Sequence, residues 1–485
     1  MKFNSILLTD GYKTGHHKQY PPDTTLVYSN FTPHSNKYAP SGANYVVSFG
    51  QQMVMRQIHD YFQDFFNSPK EEVLKEIKDE LSMYLGADYD VSHFAKLHDL
   101  GYLPIEVKII EEGTRVPIKI PVLTIVNTKA QFYWLPNFLE TLISNLLWKP
   151  MTSATIADQY RKIVSKWQRE TDIENEAFVD WQCHDFSMRG MSGIDSTIAS
   201  GLGHLTSFLG SDTLPAISAA RKYYDETGFV CGSVNATEHS VMCAGGKESE
   251  LDTFNRLINT YPTGILSVVS DTWDLWKVCD EILPTLKEKI LQRDGKLVIR
   301  PDSGDPIDIL CGTKRYDSDS SSEEKGLIHT LWDLFGGTVN SQGYRVLNSH
   351  IGAIYGDSIT LDRAEEICRR LAVKGFASTN VVFGIGSYTY QYNTRDTFGF
   401  AMKATYVVVD GEGKAIFKDP VTDNGMKKSA IGLLKVDKVD DQLVLQDQVS
   451  WKEEAEGELI DIYRNGHMVH TTTLSDIRKR LRENA

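Results

Sequence analysis

The chain has 485 residues, 41% hydrophobic and 24% charged, with a formal net charge of −14 and a pI near 5.4. That length exceeds one small core and favours two domains, or one large barrel with an accessory layer. The acidic balance argues against a general nucleic-acid or anionic-membrane surface, so an anionic ligand must be held by a local cluster of cations and backbone N–H groups.

The six cysteines, Cys183, Cys231, Cys243, Cys279, Cys311 and Cys368, include no CxxC pair. No histidine stands at zinc-finger spacing from them, so reduced thiols in a cytoplasmic protein are expected. The apolar run before Asp10 is shorter than a signal-peptide core, and no stretch approaches the length of a membrane span.

In chain order, residues 53–66 (MVMRQIHDYFQDFF) have helical periodicity with an aromatic face. Residues 102–128 read as β-rich, punctuated by Gly113 and several prolines, and residues 132–148 as a buried helix. From about residue 150 the pattern changes. Apolar strand-like segments recur, each ending in a polar cluster: His184, Asp185 and Arg189; Glu238 and His239; Ser270, Asp271 and Asp274; Arg300, Asp302 and Asp305; Gly356 and Asp357; Gly384, Gly386 and Ser387. Helical stretches lie between them.

Strand, polar tip and helix, so repeated, indicate parallel β/α architecture. A doubly wound sheet gathers its ligand groups at one switch point, whereas a barrel collects them from many strand tips. An irregular parallel (β/α) barrel is therefore expected over 151–395. A mixed α+β accessory domain is expected from both chain ends, 1–150 and 396–485. In the last segment Asp410-Gly411 and Asn465-Gly466 read as hairpin turns, and Ser475 as the cap of a closing helix with a basic last turn. The acidic serine-rich run 316–326 reads as a solvated loop.

Several tips carry groups suited to chemistry. Gly384-Ile385-Gly386-Ser387 could bring backbone N–H groups to a phosphate, with Arg395 as a clamp; a tight turn beside a surface arginine explains the same residues. Asp357 beside Gly356 could accept from a ribose diol or cap the next helix. Asp302 and Asp305 could orient a Mg²⁺-bound diphosphate or stabilise positive charge on a sugar, near the Arg300 cation; a structural Arg–Asp pair explains part of this, and Asp305 could instead cap the next helix. His239 beside Glu238 is a candidate for acid–base or phospho-transfer work. Phe186 near Arg189 could stack a flat ring and hold a phosphate. Together these suggest a substrate with a phosphate, sugar hydroxyls and a flat ring.

Nearly end to end, the chain resembles the nicotinamide-using type II phosphoribosyltransferases. The resemblance is carried by LLTDGYKTGHHKQYPP, HDFSMRG, GSDT, ATEHS, SVVSDTWD, VIRPDSGDP, YGDS, FGIGS with TRD, and FKDPV. Two stretches differ from the better-known animal members: HDFSMRG stands for HDFGYRG, and the phosphate tip is poorer in glycine. The resemblance implies a barrel plus accessory domain in a homodimer with composite sites. It implies transfer of phosphoribosyl from 5-phosphoribosyl-1-pyrophosphate to nicotinamide, with Mg²⁺, and with ATP acting through a phosphohistidine at His239.

By the same resemblance nicotinamide would meet Phe186, Asp212, Arg300, Ser267 and a Tyr12 given by the other subunit. Ribose and phosphates would meet Asp10, Arg189, Asp271, Gly356, Asp357, Gly386, Ser387, Arg395, Lys403 and Lys418. Asp302, His239 and Glu238 would serve catalysis. Nicotinate is the nearest rival substrate; a carboxylate at Asp212 accepts from an amide and repels a second carboxylate. A metal-dependent barrel lyase and a non-catalytic signalling protein on the same fold are the alternatives from other classes.

Overall fold

A computed structural model describes residues 3–313, 320–356, 358–419 and 429–483. They fall into two units, one of residues 1–155, 219–227 and 394–485, the other of residues 156–218 and 228–393. The sequence reading drew its boundaries at 150/151 and 395/396, without the short excursion at 219–227. The 150/151 boundary falls inside the helix Glu140–Thr171, which carries Pro150 in its interior.

The first unit is built on a seven-stranded antiparallel sheet. Both chain ends contribute to it, Thr24–Pro33 pairing between Phe400–Val409 and Leu123–Asn127. The amphipathic stretch read at 53–66 is the helix Gln51–Asn67, which buries Met55, Ile58, Phe62 and Phe65. Both hairpin turns form. Asp410 and Gly411 have φ of 54° and 75°, and Asn465 and Gly466 have φ of 49° and 86°, the positive pair a type I′ turn needs. The closing helix, Leu474–Glu483, is capped differently from the expectation. Thr473 accepts from the Asp476 N–H at 3.1 Å, while Ser475 sits inside the helix and donates its hydroxyl to Glu226.

The second unit holds seven parallel strands, here numbered β1 (Cys183–Asp185), β2 (Gly210–Ser211), β3 (Asn235–Ala236), β4 (Thr263–Val269), β5 (Asp294–Arg300), β6 (Ile351–Tyr355) and β7 (Val381–Ile385). Their order is β2-β1-β7-β6-β5-β4-β3, all neighbours parallel. Read as a ring, that is sequential order, the topology of a barrel and not of a doubly wound sheet. The ring has one seam, between β2 and β3. There Gly210 and Gly232 form a single parallel bridge, Ser211 N–H donating to the Gly232 carbonyl and Gly232 N–H to the Leu209 carbonyl.

Alternation along the strands divides two environments. Leu266 and Val268 on β4, and Leu297 and Ile299 on β5, are buried in the main apolar cluster with helix residues such as Ile282, Leu286 and Leu331. Ile265 and Ser267 on β4, and Lys296, Val298 and Arg300 on β5, point instead into the ring. Many barrels fill that space with layers of branched side chains. Here small residues, Gly232, Ala236, Gly352 and Ala353, line a cavity of about 640 Å³.

Candidate active site

Two clusters of polar side chains form at the strand tips of this unit. The first joins β1, β2 and the approach to β3. Asp185 is fully buried; it accepts from Ser187 N–H at 2.9 Å and from the Thr213 hydroxyl at 2.7 Å, tying the β1 tip to the β2 tip. That leaves the next position, Phe186, at the cavity wall, its ring centroid 4.6 Å from that of His184. His184 Nε2 donates to Asp212 Oδ1 at 2.9 Å, and Ser233 Oγ donates to the same oxygen at 2.5 Å. Burial raises the Asp212 carboxyl, but the hydrogen bonds from His184 and Ser233, with Arg300 adding its charge, hold it below the usual carboxylate value. Asp212 is therefore an anion at neutral pH, and no described residue donates to Oδ2. Arg300, on β5, gives Nη2–H to the Thr237 carbonyl at 2.6 Å. Among the described residues Ser267 Oγ and Arg300 Nε are buried without a hydrogen-bond partner, so both remain available to a ligand.

The second cluster joins the tips of β3, β4 and β5. Asp271 Oδ2 accepts from Asp302 N–H at 2.9 Å and from the Ser303 hydroxyl, which fixes the tip of the PDSGDP turn. His239 opens a helix, His239–Gly245, with Nδ1 3.2 Å from the Thr272 hydroxyl. Its Nε2 lies 4.0 Å from Asp271 Oδ1 and 3.8 Å from Asp302 Oδ2, and the ring is half-exposed. Asp302 Oδ1 also lies 3.5 Å from Arg300 Nε. Gly356, past β6, makes this possible: a Cβ there would fall 2.0 Å from Asp302 Oδ1. Its N–H donates to the Pro301 carbonyl at 3.2 Å.

Of the residues named from sequence, Phe186, Asp212, Ser267 and Arg300 thus share one cavity, and His239, Asp271, Asp302 and Gly356 converge beside it. Ser387 lies against Gly190, where a Cβ would strike its hydroxyl, so the β7 tip with Gly386 adjoins the loop carrying the exposed Arg189. The Glu238 carboxylate accepts from the Ser240 hydroxyl in its own helix turn. Asp305 is a helix cap: it accepts from Ile307 and Asp308 N–H at 2.9 and 3.2 Å. Asp357 lies outside the described residues.

Asp10, Tyr12, Arg395, Lys403 and Lys418 belong to the first unit. Within it Asp10 accepts from the Thr141 hydroxyl at 2.8 Å, and Tyr12 is 63% exposed. Arg395 is exposed beside Asp396, Lys403 lies on the strand Phe400–Val409, and the Lys418 backbone exchanges hydrogen bonds with Ser429. Two residues escaped the sequence reading, Ser233 and Lys296, and a third, His184, was named there only as part of a strand-tip cluster. His184 and Ser233 orient Asp212, and Lys296 shares the cavity face of Arg300 at the period of two that an inward strand face requires.

The model of the nicotinate phosphoribosyltransferase (NAPRTase) family matches residues 181–450. The chain belongs to that family. It is a pentosyltransferase, and similar curated proteins span almost its whole length. A nicotinamide phosphoribosyltransferase of Acinetobacter baylyi is 48% identical, covering 99% of this chain and 97% of its own. One of Mycoplasma pneumoniae is 35% identical, covering 86% and 92%. Among solved structures, human nicotinic acid phosphoribosyltransferase is similar with a TM-score of 0.57 at 16% identity, covering 99% of this chain and 93% of that one. Nicotinate-nucleotide pyrophosphorylase of Pyrococcus furiosus gives 0.55 at 16%, covering 99% and 95%. At that identity the likeness concerns the fold, which is the barrel with accessory domain of the type II phosphoribosyltransferases. Among the described residues no helix is long and apolar enough to cross a membrane.

Proposed function

We propose that the chain transfers phosphoribosyl from 5-phosphoribosyl-1-pyrophosphate to nicotinamide, giving nicotinamide mononucleotide and pyrophosphate, in pyridine nucleotide salvage. The observation that carries the choice of ring is Asp212. Its Oδ1 is occupied by His184 and Ser233, its carboxyl is held ionised, and it lines the cavity beside Phe186. Oδ2 then accepts from a carboxamide NH₂, whereas a nicotinate carboxylate would bring a second anion to the same point. The names of the Acinetobacter and Mycoplasma relatives agree with this reading.

The pyridine ring stacks on Phe186, with Arg300 Nε and Ser267 Oγ as further partners for the carboxamide. Its nitrogen attacks C1 of the sugar, the bond to pyrophosphate breaks, and the electron pair leaves with the diphosphate. Positive charge grows on the sugar as this happens, and Asp302, fixed through its N–H on Asp271, is the carboxylate placed to stabilise it. Arg189, Gly386 and Ser387 receive the 5′-phosphate, and Gly356 and Asp357 the ribose.

Mg²⁺ arriving with the diphosphate would neutralise leaving-group charge. The donor set fits a cation brought in by substrate: among the described residues no cluster of three metal-ligating side chains exists, but Asp271 Oδ1 is buried without a hydrogen-bond partner beside Asp302. In this reading ATP phosphorylates His239, whose half-exposed ring can be reached, and the phosphohistidine stimulates turnover. A homodimer completes the site with the exposed Tyr12 and the first unit's Asp10, Arg395, Lys403 and Lys418. Cytoplasmic location follows from the substrates. Steady-state product formation with nicotinamide against nicotinate, with and without ATP, tests the whole. Preference for nicotinate, or absence of mononucleotide with Mg²⁺ present, would refute it.

A further inference from the structure

Behind the β7 tip lies a buried polar contact that the proposed reaction does not use. The short helix Ser387–Gln391, which follows Gly386, carries Tyr390, and that side chain is fully buried. Its hydroxyl lies 2.7 Å from His204 Nδ1. His204, equally buried, closes the helix Ile194–His204, and its Nε2 lies 3.1 Å from the Gly210 carbonyl. A carbonyl only accepts, so Nε2 carries the proton. Burial holds the imidazole well below its usual pKa, so the ring is neutral and Nδ1 accepts from the Tyr390 hydroxyl. A second link runs beside the first: Gln391 Oε1 accepts from Ser192 N–H at 3.2 Å. Arg189 stands just before Ser192 in sequence, on the loop that Ser387 packs against at Gly190.

Phenylalanine would fill the space of Tyr390 without a hydroxyl that burial obliges the fold to satisfy. The two links join the segment carrying Gly386 and Ser387 to the segment carrying Arg189, which are the two sides of the phosphate in the proposed reaction. We propose that Tyr390 and His204 are positioning residues for the 5′-phosphate, their hydrogen bond fixing the tip helix against the helix that follows Arg189. Neither residue touches the phosphate, and the inference rests on the assignment of Gly386, Ser387 and Arg189 to it. Groups held in place before the ligand arrives bind it without a further ordering cost. A bond that served stability alone would change unfolding and leave phosphate affinity as it was.

Isothermal titration of the full chain with ribose 5-phosphate reads the tip without reference to turnover. Tyr390→Phe is expected to bind it about fivefold more weakly than the parent, the scale of one neutral hydrogen bond. KM for 5-phosphoribosyl-1-pyrophosphate should rise by a similar factor, with kcat and KM for nicotinamide unchanged. His204→Asn keeps an acceptor at the δ position and should retain ribose 5-phosphate binding, whereas His204→Leu should weaken it as Tyr390→Phe does. Equal affinity of the parent and Tyr390→Phe, a rise in both KM values alike, or His204→Asn as weak as His204→Leu overturns the proposal. The first of these, with turnover intact, leaves the proposed reaction standing. No heat from the parent with ribose 5-phosphate overturns the phosphate assignment together with the positioning role.

Discussion

The two tip clusters of the barrel are wired differently. At β1 and β2, Asp185 and Asp212 sit in hydrogen bonds of 2.5 to 2.9 Å with Thr213, Ser187, His184 and Ser233. At β3 to β5, His239 stands 3.8 and 4.0 Å from two carboxylates, at ion-pair and not hydrogen-bond range. The first arrangement fixes Asp212 through Oδ1 and leaves Oδ2, Ser267 Oγ and Arg300 Nε to read what enters. The second leaves charges close but not locked, as catalytic groups often are before their substrate arrives. In the proposed reaction, selection of the ring and movement of charge fall to two neighbouring groups of strand tips.

The sharpest way to break this contrast is Asp302→Asn. It should lower kcat/KM by roughly two to three orders of magnitude, the cost of losing one preorganised transition-state charge, with nicotinamide preference intact. A change in preference without a fall in rate would reverse the assignment. Asp212→Ser should do the opposite. It relaxes discrimination between nicotinamide and nicotinate by roughly ten- to a hundredfold, because a buried charged acceptor is lost; unchanged preference in competition assays would sink the role of Asp212. His239→Ala should bring the ratio of rates with and without ATP to one, and a persisting stimulation would place the phosphorylated group elsewhere. The smallest effect belongs to Asp305→Ala. Loss of its two capping bonds should cost about 1 kcal/mol in denaturant unfolding and leave substrate preference alone.

Much of the barrel was legible because its grammar is local. Each strand ends where apolar residues give way to a polar tip, and inward and outward faces alternate. The hairpins at Asp410-Gly411 and Asn465-Gly466 were legible for the same reason, since few residue pairs accept two positive φ angles. What was not legible depends on distance in sequence. Glu226 takes the Ser475 hydroxyl from 249 residues away, which left Thr473 as the cap. Likewise His184 and Ser233 meet on Asp212 from segments 28 and 21 residues off, and nothing in either segment announces the meeting. Lys296 was readable in principle from its spacing to Arg300, but a lysine at the start of a strand reads as a solvated end until the ring is closed. Asp305 read equally as a Mg²⁺-linked carboxylate or a helix cap, because a carboxylate before Pro306 serves both purposes in sequence, and the structure shows the cap.

The seam gives the barrel a mechanical property. Six strand pairings hold a continuous hoop, and Gly210 with Gly232 form its clasp. Asp212 and Ser233 stand two and one residues beyond that clasp, and their hydrogen bond crosses it. The residue assigned to choosing the ring is therefore also a latch on the hoop. Substitutions that widen the circumference would reach substrate choice through the latch, without altering any side chain that touches the ring.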